Sequence, residues 1–269
     1  MELYHYTSIE SLALILKNRT IRFNRLDRVD DIEEASIYEQ SVPMGKYTFV
    51  SCWTNNEEES IPLWKMYTPQ MKGVRLSIDS DMFQKKVIPK GTYQTAAGAY
   101  TISNDLETFF SPEEQFNEKY AILYHGKSDP SFFRAVEYVD DYKKHSQKAI
   151  AFKIENTGIH LNVDTGEIGK YKNKRWAFQE EVRFALTIVP MVKNLFTQNF
   201  EIIQAIQKGI ELPINYYDLS LDENIFSKIK IMIGPCCCEA DQAIIESLVK
   251  NFNPTITISP SKLSGTIRK

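Results

Sequence analysis

An α+β fold is predicted by three features of the 269-residue sequence. Period-two stretches lie close together, helical stripes sit near the two ends, and no Gly-rich strand-to-helix turn of the pyrophosphate-binding kind occurs. The period-two stretches are Tyr47–Trp53, where Tyr47, Phe49, Ser51 and Trp53 alternate with Thr48, Val50 and Cys52, and Val74–Asp79, where Val74, Leu76 and Ile78 alternate with Arg75, Ser77 and Asp79. Strands that neighbour one another this often argue against a purely parallel, doubly wound sheet.

In chain order, Glu2–Tyr6 reads as a strand running into a helix, with Thr7 and Glu10 spaced as a capping box and Ile9, Leu12, Ala13 and Leu16 on one stripe. Asn18 marks its stop, and Ile21 with Phe23 marks a short second strand. The stretch from Arg22 to Glu39 carries Arg22, Arg25, Arg28, Asp30, Asp31, Glu33 and Glu34, and reads as a solvated loop and helix face. Ser60–Tyr67 is a helical turn bearing Trp64 and Tyr67. Residues 89–158 show no clear period, and helices are expected there. Ile159–Val163 alternates before an Asp164-Thr165-Gly166 turn, Val182–Val189 is a strand, and Val192–Gly209 is an amphipathic helix. The chain then runs through a strand (Lys228–Ile233), a break at Gly234-Pro235, a helix (Asp241–Lys250) and a last strand (Thr255–Ser259). With no repeat and no linker, a single domain over 1–269 is expected.

Bulk properties narrow the function classes. The composition is 43% hydrophobic and 25% charged, and the formal net charge is -3, so the molecule offers no overall basic field for a polyanion. The first residues lack a signal-peptide pattern and no stretch is apolar enough for a membrane span, so a cytoplasmic protein without membrane contact is expected. Cys52 and the consecutive Cys236, Cys237 and Cys238 suit neither a disulfide framework nor a tetrahedral metal site, and no metal is expected.

Candidate chemistry concentrates in two places. If Trp176–Leu186 is extended, Gln179, Glu181 and Arg183 share one face while Phe178, Val182, Phe184 and Leu186 share the other. A carboxylate beside a fixed guanidinium stays ionised and could stabilise an oxocarbenium ion. Alternatively, Glu181 and Arg183 form a surface pair on an edge strand. At the other end, His5 sits where a strand meets a helix N-terminus, a position suited to phosphate or ribose oxygens, or it is a plain hydrogen-bonded histidine. His5 and Tyr6 would face the cleft if Thr7 is claimed by the cap. Ser51 and Trp53 share a strand face and could line the same pocket, with Trp64 and Tyr67 nearby, or serve only as core.

These segments stand in a recognisable order. Leu3-Tyr4-His5-Tyr6-Thr7-Ser8, Val29-Asp30-Asp31-Ile32-Glu33, Val50-Ser51-Cys52-Trp53, Leu63-Trp64-Lys65-Met66-Tyr67, Gly73-Val74-Arg75-Leu76, Trp176 with Glu181 and Arg183, and Ile231-Met232-Ile233-Gly234-Pro235 together resemble a widespread bacterial family catalogued as a domain of unknown function. That family is similar to a distant branch of the ADP-ribosyltransferase superfamily, whose pattern is a His or Arg on the first strand, a Ser, Thr or Tyr on a middle strand and a late Glu, often within Gln-x-Glu or Glu-x-Glu.

The resemblance implies a split mixed or antiparallel two-sheet core with flanking helices, and NAD⁺ as substrate. His5 would hydrogen-bond a ribose, and Thr7 or Ser8 would help seat nicotinamide. The middle position falls to Ser51 or Tyr67, Glu181 would stabilise the ribosyl cation, and Gln179 would position the acceptor. Tyr6, Trp53 and Arg183 complete the expected NAD⁺ site. A toxin or phage-defence effector, with a nucleic-acid or protein acceptor and an antitoxin partner, is the corresponding expectation. A binding module without chemistry, using Arg22, Arg25 and Arg28, and a metal-dependent nuclease, using Asp30, Asp31, Glu33, Glu34 and Lys65, are the competing classes.

Overall fold

A computed structural model describes residues 1–35, 38–39, 42–124, 131–141, 150–155, 158–163, 166–192, 195 and 199–267. Ten strands build the main sheet: β1 (Glu2–Thr7), β2 (Thr20–Arg25), β3 (Thr48–Thr54), β4 (Val74–Asp79), β5 (Tyr120–Leu123), β6 (Phe133–Ala135), β7 (Glu181–Pro190), β8 (Tyr216–Ser220), β9 (Lys230–Ile233) and β10 (Thr257–Pro260). Helices include α1 (Ile9–Asn18), α2 (Ile32–Ala35), α3 (Ile61–Tyr67), α4 (Asn199–Gln207) and α5 (Glu239–Phe252), besides the four-residue helices Pro112–Gln115 and Glu223–Phe226 and several 3-10 turns. The strand order is β5-β7-β3-β1-β4-β9-β10, with β6 also on β7, β2 on β3, and β8 on β2. Among the described residues, only β9 with β10 is parallel within this sheet.

The sheet splits at β3. One edge of β3 pairs with β7 continuously, from Glu181 opposite Thr54 to Thr187 opposite Thr48. The other edge is shared: β1 meets it only at Tyr4 opposite Thr54, and β2 only at Asn24 opposite Val50 and Arg25 opposite Phe49. Between those contacts β1 and β2 part, and the edge of β3 at 51–53 faces a gap instead of a strand. α1 spans from β1 to β2 across this gap. Leu12, Ile15 and Leu16 fix it to the core, and it is capped by Ser8, whose hydroxyl accepts from the Ser11 N–H at 3.2 Å. The expected cap, Thr7, is instead the buried last residue of β1, because the strand runs one residue further than its apolar pattern.

Residues 86–124 and 131–139 differ most from expectation: they are mainly short strands, not helices. The hairpin of Gly91–Thr95 with Gly98–Ile102 sets Tyr93 opposite Tyr100 and turns at Gly98, whose φ of +107° disfavours any other residue. Phe109, Phe110, Phe116 and Phe132 are buried, and Phe132 lies 5.4 Å from Phe184 and 5.8 Å from Phe83, ring to ring. These aromatics follow no helical stripe because they converge from separate short segments on one sheet face. Of the predicted helix over 192–209, Asn199–Gln207 is helical, while 193–194 and 196–198 lie outside the described residues, as does the turn at 164–165.

Candidate functional site

β7 is a central strand buried along its whole length, so the edge-strand reading of Glu181 and Arg183 is overturned: they are 6% and 0% exposed. Extended backbone begins only at Glu181. Lys174–Gln179 is a 3-10 turn, and Glu180 closes it in the left-handed region at φ 43°, its carbonyl accepting from the Thr54 hydroxyl at 3.0 Å. Gln179 therefore does not share a strand face with Glu181, and Phe178, expected in the core, is 40% exposed.

Gln179 and Glu181 are still brought together, through a residue that sequence reasoning missed. The ammonium of Lys172, on the strand Tyr171–Asn173, donates to Gln179 Oε1 at 2.8 Å and to Glu181 Oε2 at 3.0 Å. On its other side Gln179 Nε2 donates to the Tyr67 hydroxyl at 2.7 Å, and that hydroxyl donates to Asp30 Oδ2 at 2.8 Å. The amide is held at both ends, with its oxygen toward the cation. Burial, with the Asp30 carboxylate beside it, pushes the Tyr67 hydroxyl far up, so it stays a phenol and a donor. Tyr67→Phe removes one acceptor and one donor from this relay. It should lower kcat/KM for whatever the site transforms by about 5–100-fold, the worth of two hydrogen bonds, and an unchanged kcat/KM would show the relay to be idle.

Arg183 extends the network. Its guanidinium donates through Nε to Glu181 Oε1, through Nη2 to Glu34 Oε2 at 2.9 Å, and through Nη1 to the Gly169 carbonyl at 2.8 Å. Gly169 has φ +70°, and a Cβ there would meet Leu26 at 3.2 Å, so the backbone that presents this carbonyl calls for glycine. Glu34 is 1% exposed and Arg25 3%, so the stretch read as a solvated face is solvated at Arg28, Asp30 and Glu33 but buried at these two residues. Arg25 is bonded to Asp27 and Glu211. Glu34, Glu181, Lys172 and Arg183 thus form a buried set of two anions and two cations. Burial raises the Glu181 carboxyl, but Arg183 and then Lys172 outweigh it and hold the group down to about 2, fully ionised. At Glu34 burial wins over Arg183, and its carboxyl is raised.

His5 reaches the same place from β1. Its Nδ1 lies 2.9 Å from the Cys52 carbonyl on the unpaired edge of β3, so Nδ1 carries the proton and Nε2 is left as an acceptor. The ring lies 4.9 Å from that of Trp53, whose Nε1 donates to Ser51 Oγ at 2.9 Å. Burial lowers the His5 pKa against the opposing pull of the Cys52 carbonyl, so the imidazole is neutral at neutral pH. A folded pKa below the unfolded value gives a stability contribution that is complete above about pH 6.5 and is lost as pH falls through the lowered folded value. The His5 ring protons should titrate below about 6.5 by NMR; a midpoint at or above that value would contradict the neutral assignment of this half-buried ring.

Two cavities open at the split. The larger, about 320 Å³, is lined by His5, Thr7, Ser51, Cys52, Tyr67, Lys172, Glu181 and Arg183, and extends along α1 and β2 past Arg22 and Arg28. The smaller, about 70 Å³, is lined by Tyr4, His5, Tyr6, Cys52, Trp53, Thr54, Leu63, Tyr67, Gln179 and Glu181. His5, Cys52, Tyr67 and Glu181 line both. Ser8 lines neither, being occupied as the α1 cap, and Tyr6 directs its hydroxyl to accept from the Ser60 N–H at 3.0 Å.

Lys172 and Cys52 are site residues the sequence reading did not assign, and Asp30 and Glu34 were assigned only to the competing nuclease class. Asp30 and Glu34 belonged to a charged block with no apolar stripe to betray that one of its carboxylates is buried. The nuclease grouping is not assembled: Asp30 bonds Tyr67, Asp31 accepts from the Glu33 N–H at 3.0 Å, and Glu34 bonds Arg183. Among the described residues, no helix is long and apolar enough to cross a membrane. Comparison of the chain with protein-family models, with curated proteins and with solved structures finds no match in any of the three.

Proposed function

We propose that the chain is an NAD⁺-dependent ADP-ribosyltransferase acting at the cleft where β1 and β2 part. The observation that carries this reading is that His5, from the first strand, and Glu181, from the late strand β7, line the same two cavities together with Tyr67, the last residue of α3, which accepts from Gln179. In the reaction, the bond from nicotinamide N1 to ribose C1′ breaks and the electron pair leaves with nicotinamide, discharging its pyridinium. An acceptor nucleophile bonds C1′ and releases its proton to water. Positive charge spreads over C1′ and the ring oxygen before the new bond forms, and an ionised carboxylate on a rigid strand stabilises it. Glu181 meets that requirement, since its partners hold it ionised at any physiological pH. Neutral His5 supplies an acceptor nitrogen for a ribose hydroxyl, and the tethered Gln179 amide would orient the acceptor.

One observation favours a second reading, a nucleotide-binding module without chemistry. Arg183 and Lys172 already donate three hydrogen bonds to the Glu181 carboxylate, leaving about one of its roughly four acceptor sites for a ligand. The two readings separate on incubation of the chain with NAD⁺ labelled in the adenylate phosphate and with nucleic acid or protein as acceptor. Transfer of label by wild type and its loss in His5→Ala supports the enzyme, whereas NAD⁺ binding without transfer to any acceptor or to water supports the module.

A further inference from the structure

Arg22, Arg25 and Arg28 stand out in the sequence as a basic series, and the structure gives them three different fates. Arg25 is buried against Asp27 and Glu211. Arg22 lines the larger cavity and is held flat: its Nε and Nη2 grip both oxygens of Asp218 at 2.8 and 2.9 Å, and its guanidinium carbon lies 3.6 Å above the Tyr216 ring. Tyr216, which does not line the cavity, covers one plane of this guanidinium. Arg28 also lines the cavity and is exposed, and among the described residues no carboxylate pairs with it. The other cations of the lining, Arg22, Lys172 and Arg183, are each bonded to a carboxylate. Asp30, two residues on, gives its oxygen to the Tyr67 hydroxyl instead.

We propose that the arm of the cleft along β2 is a nucleoside-diphosphate subsite, with Arg28 binding the phosphates and the Arg22 guanidinium presenting its other plane to the base. Guanidinium planes stack on flat rings and match phosphate oxygens in a fork, and a plane held by a bidentate carboxylate and an underlying ring loses little rotamer freedom on binding. Leu14 and Ile15 of α1 supply an apolar wall on the same arm, and the amides of Asn18 and Asn24 offer donors and acceptors for a base edge. The identity of the nucleotide as an adenosine diphosphate rests on the NAD⁺ reading of the cleft; the subsite itself rests on the arginines.

The test is calorimetric titration of the full chain with ADP and with adenosine, for wild type, Arg28→Ala and Arg22→Ala, alongside nicotinamide release from NAD⁺ by wild type. Wild type should bind ADP more tightly than adenosine. Arg28→Ala should weaken ADP on the order of tenfold and leave adenosine unchanged, as expected when a charge-assisted contact to phosphate is removed. Arg22→Ala should weaken both. ADP binding equal in wild type and Arg28→Ala, or no ADP binding by wild type, overturns the proposal. If ADP binding depends on Arg28 but no nicotinamide is released, the subsite stands and the transferase reading falls. Release of nicotinamide with Arg28-independent ADP binding leaves the transferase standing and removes the subsite.

Discussion

Glu181→Gln should reduce the rate of nicotinamide release from NAD⁺ on the order of 10²–10³-fold, the cost of removing one preorganised electrostatic group from a transition state. The loss should fall on kcat and on kcat/KM equally, with KM for NAD⁺ little changed, because the carboxylate acts on charge that exists only as the glycosidic bond breaks. That division separates a chemical role from a structural one. Gln keeps the shape of the side chain but removes one of the two anions facing Lys172 and Arg183, so some loss of stability accompanies the change. A urea unfolding midpoint measured on the same sample shows whether the variant is folded when assayed. A variant that is folded and as fast as wild type would remove Glu181 from the chemistry.

Arg183→Met should cost about 3–5 kcal/mol of folding stability, as breaking a buried ion pair does when the partner charge is left behind. Here two carboxylates, Glu34 and Glu181, lose their shared cation while almost wholly enclosed. The desolvation of these groups is offset by Arg183 and Lys172 together, and Lys172, 3.9 Å from Glu34, cannot neutralise both. Adding Glu34→Met to Arg183→Met should restore part of the loss, because an apolar pair of similar volume leaves only Glu181 with Lys172. The comparison is made by urea unfolding at neutral pH. A loss below about 1 kcal/mol for Arg183→Met, the range of exposed ion pairs, would contradict the buried arrangement.

The sequence revealed the strands that frame the cleft better than the chemistry inside it. β3, β4 and β7 were legible because each carries a run of apolar residues at period two, and burial of such a run dictates extended structure almost independently of its neighbours. Gln179 illustrates the opposite case. Its period placed it on a strand with Glu181, but the left-handed Glu180 between them turns the chain, and the two side chains meet only because Lys172 bridges them. Lys172 itself is indistinguishable by type from the exposed lysines around it, and its burial follows from pairing Tyr171–Asn173 with Glu137–Val139, a contact distant in the chain. Glu34 was hidden for the same reason, its partner Arg183 lying on a strand far along the sequence. The stretch from 86 to 139 was illegible because its aromatics gather from several short strands, none long enough to show a period.

The most direct measurement is a crystal structure of Glu181→Gln grown with NAD⁺, the substitution serving to keep the dinucleotide intact. The ribose bearing nicotinamide should lie between the His5 imidazole and the side chain at 181, in the gap left where β1 and β2 separate along β3. Electron density for the dinucleotide anywhere else on the molecule, or a cleft that stays empty at saturating NAD⁺, would refute the assignment of this site.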